Sequence, residues 1–126
     1  MKFKALLIAS IALVTLMTIG TRVSAQAKLS EKQKIEALIQ SVQQLKGAQF
    51  YRNGSYYDAA KAADHLRMKW GKAGSRVKTA QDFIEVVGSK SYLSGEEYHI
   101  KLSDGRKVAT KAFFTQRLKE ITAPKK

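Results

Sequence analysis

Three segments of the chain begin with the signature of a helix start, and this feature limits the possible folds more than any other. In each, a hydroxyl side chain is followed three positions later by an amide or an acid, so that each side chain can bond the other residue's free backbone N–H. Apolar residues follow each pair, with helical spacing after the first two. The pairs are Ser30–Gln33, Ser55–Asp58 and Thr79–Asp82.

These signals predict about four helices. The first three are each followed by a glycine, which adopts the left-handed conformation after a helix at low cost. The fourth is predicted from apolar residues at helical steps near the end of the chain. The predicted helices cover residues 31–46, 56–73, a short segment between Thr79 and Gly88, and a last segment capped by Thr110.

A small sheet is predicted from alternation and turn residues. Apolar and polar residues alternate over residues 98–102, which predicts a strand with one buried face, and residues 106–108 are predicted to return after the Asp104–Gly105 turn. Residues 50–52 are predicted to form a short edge strand that adds to strand 98–102 and is followed by the Asn53–Gly54 turn. We therefore expect an α+β fold that is mainly helical, with about four helices and a small antiparallel sheet of two or three strands.

The first 25 residues resemble a cleavable signal peptide. Lys2 and Lys4 precede an uncharged apolar run over residues 5–20, and residues 23–25 form a small-x-small cleavage site. The apolar run is short for a membrane span, although an uncleaved N-terminal anchor is the alternative. We expect residues 1–25 to be removed and residues 26–126 to form one domain.

Charge and cysteine usage restrict the function further. The chain has 23 basic and 10 acidic residues, a net charge of +13, and no cysteine. Strong positive charge favours polyanions, and for an exported chain these are lipid headgroups or anionic polymers of the envelope rather than nucleic acid. The alternative is that the charge only maintains solubility. The absence of cysteine excludes disulfides, thiol chemistry, zinc–thiolate sites and iron–sulfur clusters.

Most of the uncommon chemistry lies in residues 50–70. Arg52 could grip an anion with its planar guanidinium or pair with a carboxylate that holds the turn. His65 could be a general base or one metal ligand, or a partly buried structural histidine. With Asn53, Tyr57 and the hydroxyl-rich loop of residues 91–95, these side chains suit an anionic or carbohydrate-like ligand.

Known catalytic spacings are missing from the chain. It contains no Gly-x-Ser-x-Gly, no His-Glu-x-x-His, no phosphate-binding glycine loop and no dinucleotide fingerprint. The second histidine, His99, alternates away from the buried face of its strand. We therefore predict no metal, no cofactor and no catalytic residue. A hydrolase that uses His65 with a loop serine is the alternative, since a serine requires a positioned base.

The sequence of residues 50–70 resembles the signature of the YfeK-like family, a domain of unknown function in small secreted bacterial proteins. Residues 78–84 and 89–98 resemble it as well, so that the resemblance extends over about residues 35–121. The family implies a periplasmic location and no established activity. Tyr92 departs from the family pattern, which usually has a small hydroxyl residue there. The polar positions that match the pattern, with Tyr57, complete the candidate ligand-binding set: Arg52, Asn53, Tyr57, His65, Arg67, Ser89, Ser91 and Ser94.

Together these patterns predict a periplasmic, non-catalytic domain that binds an envelope ligand or a partner protein. The alternatives are the hydrolase and a basic protein that binds an anionic envelope polymer or a membrane surface. The leading hypothesis requires a specific geometry, in which the Asn53–Gly54 turn brings Arg52 and His65 together beneath the serine loop. The ligand, the partner and the oligomeric state are left open.

Overall fold

The described part of the chain contains helices and antiparallel strands joined by turns and loops. The structure is a computed structural model that describes residues 28–124. The predicted signal peptide, residues 1–25, lies outside the described residues. The elements are α1 (Glu31–Gln43), β1 (Gln49–Arg52), β2 (Ser55–Tyr57), α2 (Ala59–Ala73), a 3₁₀ turn (Gly74–Arg76), α3 (Ala80–Val86), β3 (His99–Lys101), β4 (Lys107–Ala109) and α4 (Thr110–Thr122).

Two of the three predicted helix starts are confirmed. The Ser30 hydroxyl accepts a bond from the Gln33 N–H while the Gln33 side chain accepts one from the Ser30 N–H, and Thr79 and Asp82 do the same at α3. Helix α1 nevertheless ends at Gln43, earlier than the predicted residue 46. The Leu45 N–H bonds the Val42 carbonyl there, and this tighter turn redirects the chain toward β1.

The predicted start of α2 is wrong. Ser55 does not cap this helix, because residues 53 and 54 have φ values of 48° and 84° and form a two-residue hairpin turn that pairs Ser55 with Arg52. Residues Ser55–Tyr57 continue as strand β2. Asp58 is the actual N-cap, and its carboxylate accepts a bond of 2.8 Å from the Lys61 N–H. The helix therefore begins at Ala59 rather than at residue 56.

The sheet of the described residues has four antiparallel strands rather than two or three, in the order β2-β1-β3-β4. The prediction that residues 50–52 pair with strand 98–102 is confirmed, with Phe50 opposite Ile100. The edge position predicted for β1 is wrong, since β2 covers its other side. The missing strand and the wrong start of α2 have the same cause, because the residues predicted to begin that helix form the edge strand β2 instead.

The predicted cap of the last helix is also wrong. Ala109 is the N-cap of α4 and supplies no side-chain bond. Thr110 is the first helical residue, and its N–H bonds the Tyr98 carbonyl at 3.0 Å, so that strand pairing leads directly into the helix. The Thr110 hydroxyl is buried and has no hydrogen-bond partner among the described residues.

The core lies between the helices and one face of the sheet. Phe50 and Ile100 contribute from the sheet, and their side chains are at most 7% exposed. Gly88 permits the closest approach, because a Cβ there would lie 2.7 Å from the ring of Phe114. The structure confirms the predicted α+β, mainly helical fold class. Between residues 28 and 124, no helix is long and apolar enough to cross a membrane.

Candidate functional site

A cavity of about 140 Å³ opens between the β1–β2 hairpin and one face of α2. Its wall is mainly apolar, because the inward-facing residue of β1 and the buried stripe of α2 both reach it. Polar side chains from the hairpin, from α2 and from the segment before β3 also reach its lining. The lining residues are Val42, Phe50, Tyr51, Arg52, Tyr57, Lys61, Ala62, His65, Leu66, Tyr98, His99 and Thr110.

Arg52 reaches the cavity because alternation along β1 places it on the same face as Phe50. Its Nη2 donates to the Tyr57 hydroxyl at 3.4 Å, and its guanidinium carbon lies 5.1 Å from the centroid of the Tyr57 ring. Within residues 28–124, no carboxylate lies within ion-pair distance of Arg52. Of the two predicted roles, pairing with a carboxylate is therefore not observed, and the guanidinium is available to an anion.

His65 enters the same cavity from α2. Its Nε2 is buried and makes no hydrogen bond to any described residue, and its ring packs edge-on against Tyr98, with centroids 6.3 Å apart. Burial, together with the positive charges of Arg52, Lys69 and Lys72, lowers the pKa of His65 to about 4. The imidazole is therefore neutral at pH 7, and Nε2 can make one hydrogen bond to a group that enters the cavity.

The serine loop lies against the hairpin turn. Asn53 joins them, because its Nδ2 donates to Ser91 Oγ at 3.0 Å and its Oδ1 accepts from Ser94 Oγ at 2.6 Å. Asn53, Ser91 and Ser94 therefore contact one another, but none of them lines the cavity that Arg52 and His65 share. Their polar groups bond mainly one another and hold the loop in place. The structure shows no hydrogen bond between a loop serine and His65 Nε2, the contact that the hydrolase alternative requires.

Two predicted site residues lie outside both the cavity and the contacts of Asn53 with the serine loop. Arg67 points toward α1, where it donates to Gln43 at 3.3 Å and approaches Glu36 at 3.7 Å. The Ser89 hydroxyl donates to the carbonyl of Glu85 at 2.9 Å and satisfies the end of α3. Neither residue lines the cavity.

Lys69 is the main feature that the residue pattern did not reveal. It is only 7% exposed, and its ammonium donates to the carbonyls of Val87 and Lys90 at 3.0 and 3.1 Å and to the Tyr98 hydroxyl at 2.8 Å. Burial, with a smaller effect of Arg52, lowers its pKa to about 8. The ammonium thus ties α2 to the segment between α3 and β3 and supports the Tyr98 wall of the cavity.

Sequence spacing could have revealed two of the missed residues. Lys69 stands three positions after Leu66 and so falls on the apolar stripe of α2 rather than on its solvated face. Lys61 stands four positions before His65, which places both on the same side of the helix, and both line the cavity. Tyr98 has no such signal, because its contact with α2 depends on how the preceding loop folds back.

The part of the chain that the structure describes contains no group of three or more histidine, aspartate or glutamate side chains that could hold a metal ion.

Comparison with known proteins places residues 29–122 within the model of a family of unknown function, DUF5329. The chain is also 35% identical over 74 residues to a protein of Salmonella typhimurium named "Uncharacterized protein YfeK". That alignment covers 59% of this chain and 62% of the relative, so the chain spans less than two thirds of the relative's length. No solved structure matches the chain.

Proposed function

Because the chain belongs to DUF5329, a family of unknown function, we propose its function from the geometry of the cavity. The predicted resemblance to the YfeK-like family is confirmed. We propose that the protein is a periplasmic binding domain that holds a small organic anion in the cavity and performs no reaction on it. The observation that carries the proposal concerns two groups of the cavity: among residues 28–124, the Arg52 guanidinium has no ion-pair partner, and the buried, neutral His65 Nε2 has no hydrogen-bond partner.

The size of the cavity supports a small ligand. Its volume of about 140 Å³ is close to that of an engineered apolar cavity, roughly 150 Å³, that binds benzene. Phe50, Leu66 and Val42 supply an apolar wall of the kind that such a ring contacts. The apolar part of the ligand is therefore about the size of a benzene ring or a short branched alkyl chain.

The charges support a carboxylate on that ligand. Tyr57 holds Arg52, whose guanidinium forms no ion pair with any described residue, and a carboxylate can accept two parallel hydrogen bonds from its planar fork. Lys61 adds a second positive charge at the lining. The neutral His65 adds one hydrogen bond without adding charge. An apolar cavity with a few convergent polar groups is typical of a small-molecule site.

Two observations support binding without catalysis in an exported protein. The loop hydroxyls that would serve as nucleophiles bond Asn53 instead of a base. The lysines, the apolar run and the cleavage motif within residues 1–25 have the pattern of a signal peptide.

The proposal is tested by calorimetric titration with benzoate, which joins a ring and a carboxylate. Benzyl alcohol keeps the ring without the charge, and acetate keeps the charge without the ring. We expect benzoate to bind at least about tenfold more tightly than either, because a charge-assisted hydrogen bond contributes roughly 1.5–3 kcal/mol. Arg52→Gln should lose about 10- to 100-fold in benzoate affinity.

Arg106→Gln is the matched control, since the Arg106 side chain is 71% exposed and, among the described residues, bonds only Asp104 in its own turn. It should bind benzoate like the wild type. Equal affinity for benzoate in wild type and Arg52→Gln would show that the guanidinium does not hold an anion. Equal losses in both variants would mean that only the overall charge matters, and either result would overturn the proposal.

A further inference from the structure

The sheet has a second polar surface, on the side away from the core. Alternation along the strands turns Phe50, Ile100 and Val108 toward the helices, so their neighbours face outward. These outward residues, which we call the outer sheet face, come from all four strands and include a groove of about 330 Å³. The outer sheet face consists of Gln49, Tyr51, Tyr56, His99, Lys101 and Lys107.

Two lysines on this face are placed unfavourably for stability. Lys101 of β3 lies directly opposite Lys107 of β4, and both side chains are exposed. Like charges directly opposite each other on neighbouring strands destabilise a sheet. No carboxylate of residues 28–124 lies within ion-pair distance of either lysine. An anion bound between the two ammonium groups would remove this repulsion.

Two tyrosines form the other half of the groove. Tyr51 and Tyr56 are cross-strand partners whose rings meet edge-on, with centroids 5.4 Å apart, and Tyr56 is 43% exposed. The Tyr51 hydroxyl bonds Glu96 at 3.1 Å, which holds its ring in place. The ammonium of Lys101 lies 6.0 Å from the centroid of the Tyr56 ring, so the aromatic and the basic parts of the groove adjoin.

This combination matches the chemistry of an acidic sugar. The face of an aromatic ring carries negative electrostatic potential and attracts the weakly positive C–H bonds on one side of a sugar ring. Tyrosine hydroxyls, the Gln49 amide and the His99 imidazole can bond sugar hydroxyls. The lysine pair can bond a carboxylate. We infer that the outer sheet face binds an oligosaccharide that carries carboxylate groups. Tyr51 and His99 also border the helix-side cavity, but Tyr56 and the lysine pair do not, so this site is distinct from the cavity and does not depend on the proposed function.

Nucleic acid is the competing polyanion, since aromatic rings and lysines also bind single strands. The structure favours the sugar, because the two tyrosine rings lie at 63° to each other and so do not offer parallel faces to two successive bases. The hydroxyl-bonding groups around them have no role in base stacking.

The test is a calorimetric titration of the full exported domain with tetragalacturonate, an acidic tetrasaccharide. Maltotetraose is a neutral tetrasaccharide with the same kind of linkage, tetrapolyphosphate carries negative charge without a sugar, and a short oligothymidylate represents nucleic acid. We expect tetragalacturonate to bind at least about tenfold more tightly than any of the three. Its affinity should fall as the salt concentration increases. Binding of oligothymidylate or tetrapolyphosphate at equal affinity would overturn the inference.

Variants then locate the site. Tyr56→Ala and the double variant Lys101→Gln/Lys107→Gln should each lose about tenfold in affinity for tetragalacturonate. Lys32→Gln/Lys119→Gln is the matched control, because it removes the same charge from exposed positions on α1 and α4. Equal losses in the two double variants would show that only net charge matters and would overturn the inference.

Two further measurements separate folding and the other site from this one. Amide NMR spectra report whether each variant keeps the wild-type fold. In the wild type the shifts induced by tetragalacturonate should concentrate on the four strands, β1 to β4, that carry the outer sheet face. Arg52→Gln should bind tetragalacturonate like the wild type, since it alters only the cavity. Shifts confined to the cavity, or the absence of any shift, would contradict the outer sheet face as the site.

Discussion

Replacing Lys69 by methionine removes the buried ammonium while keeping a side chain of similar length. In the wild type this ammonium bonds the carbonyls of Val87 and Lys90 and the hydroxyl of Tyr98. Lys69→Met leaves these three acceptors without their donor in a largely buried environment. The variant therefore tests whether a lysine, rather than apolar contact, holds the segment between α3 and β3 against α2.

Two opposing effects set the change in the free energy of unfolding that Lys69→Met causes. A buried polar group left without a partner costs roughly 1–3 kcal/mol, so three such groups cost about 5 kcal/mol. Against this, methionine avoids the cost of burying a charge. Burial, with a smaller effect of the Arg52 charge, lowers the pKa of Lys69 from 10.5 to about 8. At about 1.4 kcal/mol per pKa unit, the cost of holding this charge is about 3 kcal/mol. The unpartnered acceptors outweigh it, and we expect a net loss of about 2 kcal/mol in the free energy of unfolding.

Urea denaturation at pH 7, followed by circular dichroism, measures this difference. Lys72→Met is the matched control, because Lys72 lies on the same helix and is exposed, and it should change the free energy by at most about 0.5 kcal/mol. Tyr98→Phe combined with Lys69→Met should cost less than the sum of the single changes, since they share one hydrogen bond. A Lys69→Met protein as stable as the wild type would refute the reasoning.

Two further predictions concern the cavity and the hairpin. The pKa of His65 lies near 4 in the folded protein and near 6.5 in the unfolded chain, so the unfolded chain binds more protons between these values and stability falls as pH drops from 6.5 to 4. After allowance for solvent screening of a partly buried ring, the free energy of unfolding should fall by about 1–2 kcal/mol over this range. Thermal denaturation of His65→Gln should therefore depend less on pH than that of the wild type, and an unchanged pH dependence would contradict the assignment of the effect to His65. Asn53→Ala should lower the free energy of unfolding by about 1–3 kcal/mol, because it loses the bonds to Ser91 and Ser94 and strains a residue at φ 48°. Asn53→Gly removes the bonds without the strain and should lower it less. Equal losses in urea denaturation would contradict a contribution from strain.

Local signals predicted the parts of the fold that depend on neighbours in sequence. The capping boxes at Ser30 and Thr79 were found where the pattern placed them, since both partners lie within one turn. The start of α2 was missed because Ser55 and Asp58 are both acceptable caps, and only the hairpin pairing of Ser55 with Arg52 decides between them. The fourth strand, β2, was not predicted for the same reason.

The candidate site shows the same difference between local signals and long-range contacts. Arg52, Tyr57 and His65 were predicted and line one cavity, because a hairpin and the helix that follows it are neighbours in the chain. The serine loop was expected to complete the cavity, but its orientation depends on contacts over long sequence distances, among them those of Asn53 and Lys69. Such contacts leave no periodic trace in the sequence. The roles of these residues in binding stay predictions until a ligand is tested.

The most direct measurement is NMR of the imidazole nitrogens of His65 and His99 during titration with benzoate. Binding in the cavity should shift His65 Nε2, which has no hydrogen-bond partner in the described structure, and the change should saturate at one benzoate per chain. The same titration of Arg52→Gln should need about 10- to 100-fold more benzoate to reach the same shift. A His65 signal that stays constant while benzoate is added in excess would contradict the cavity as the binding site.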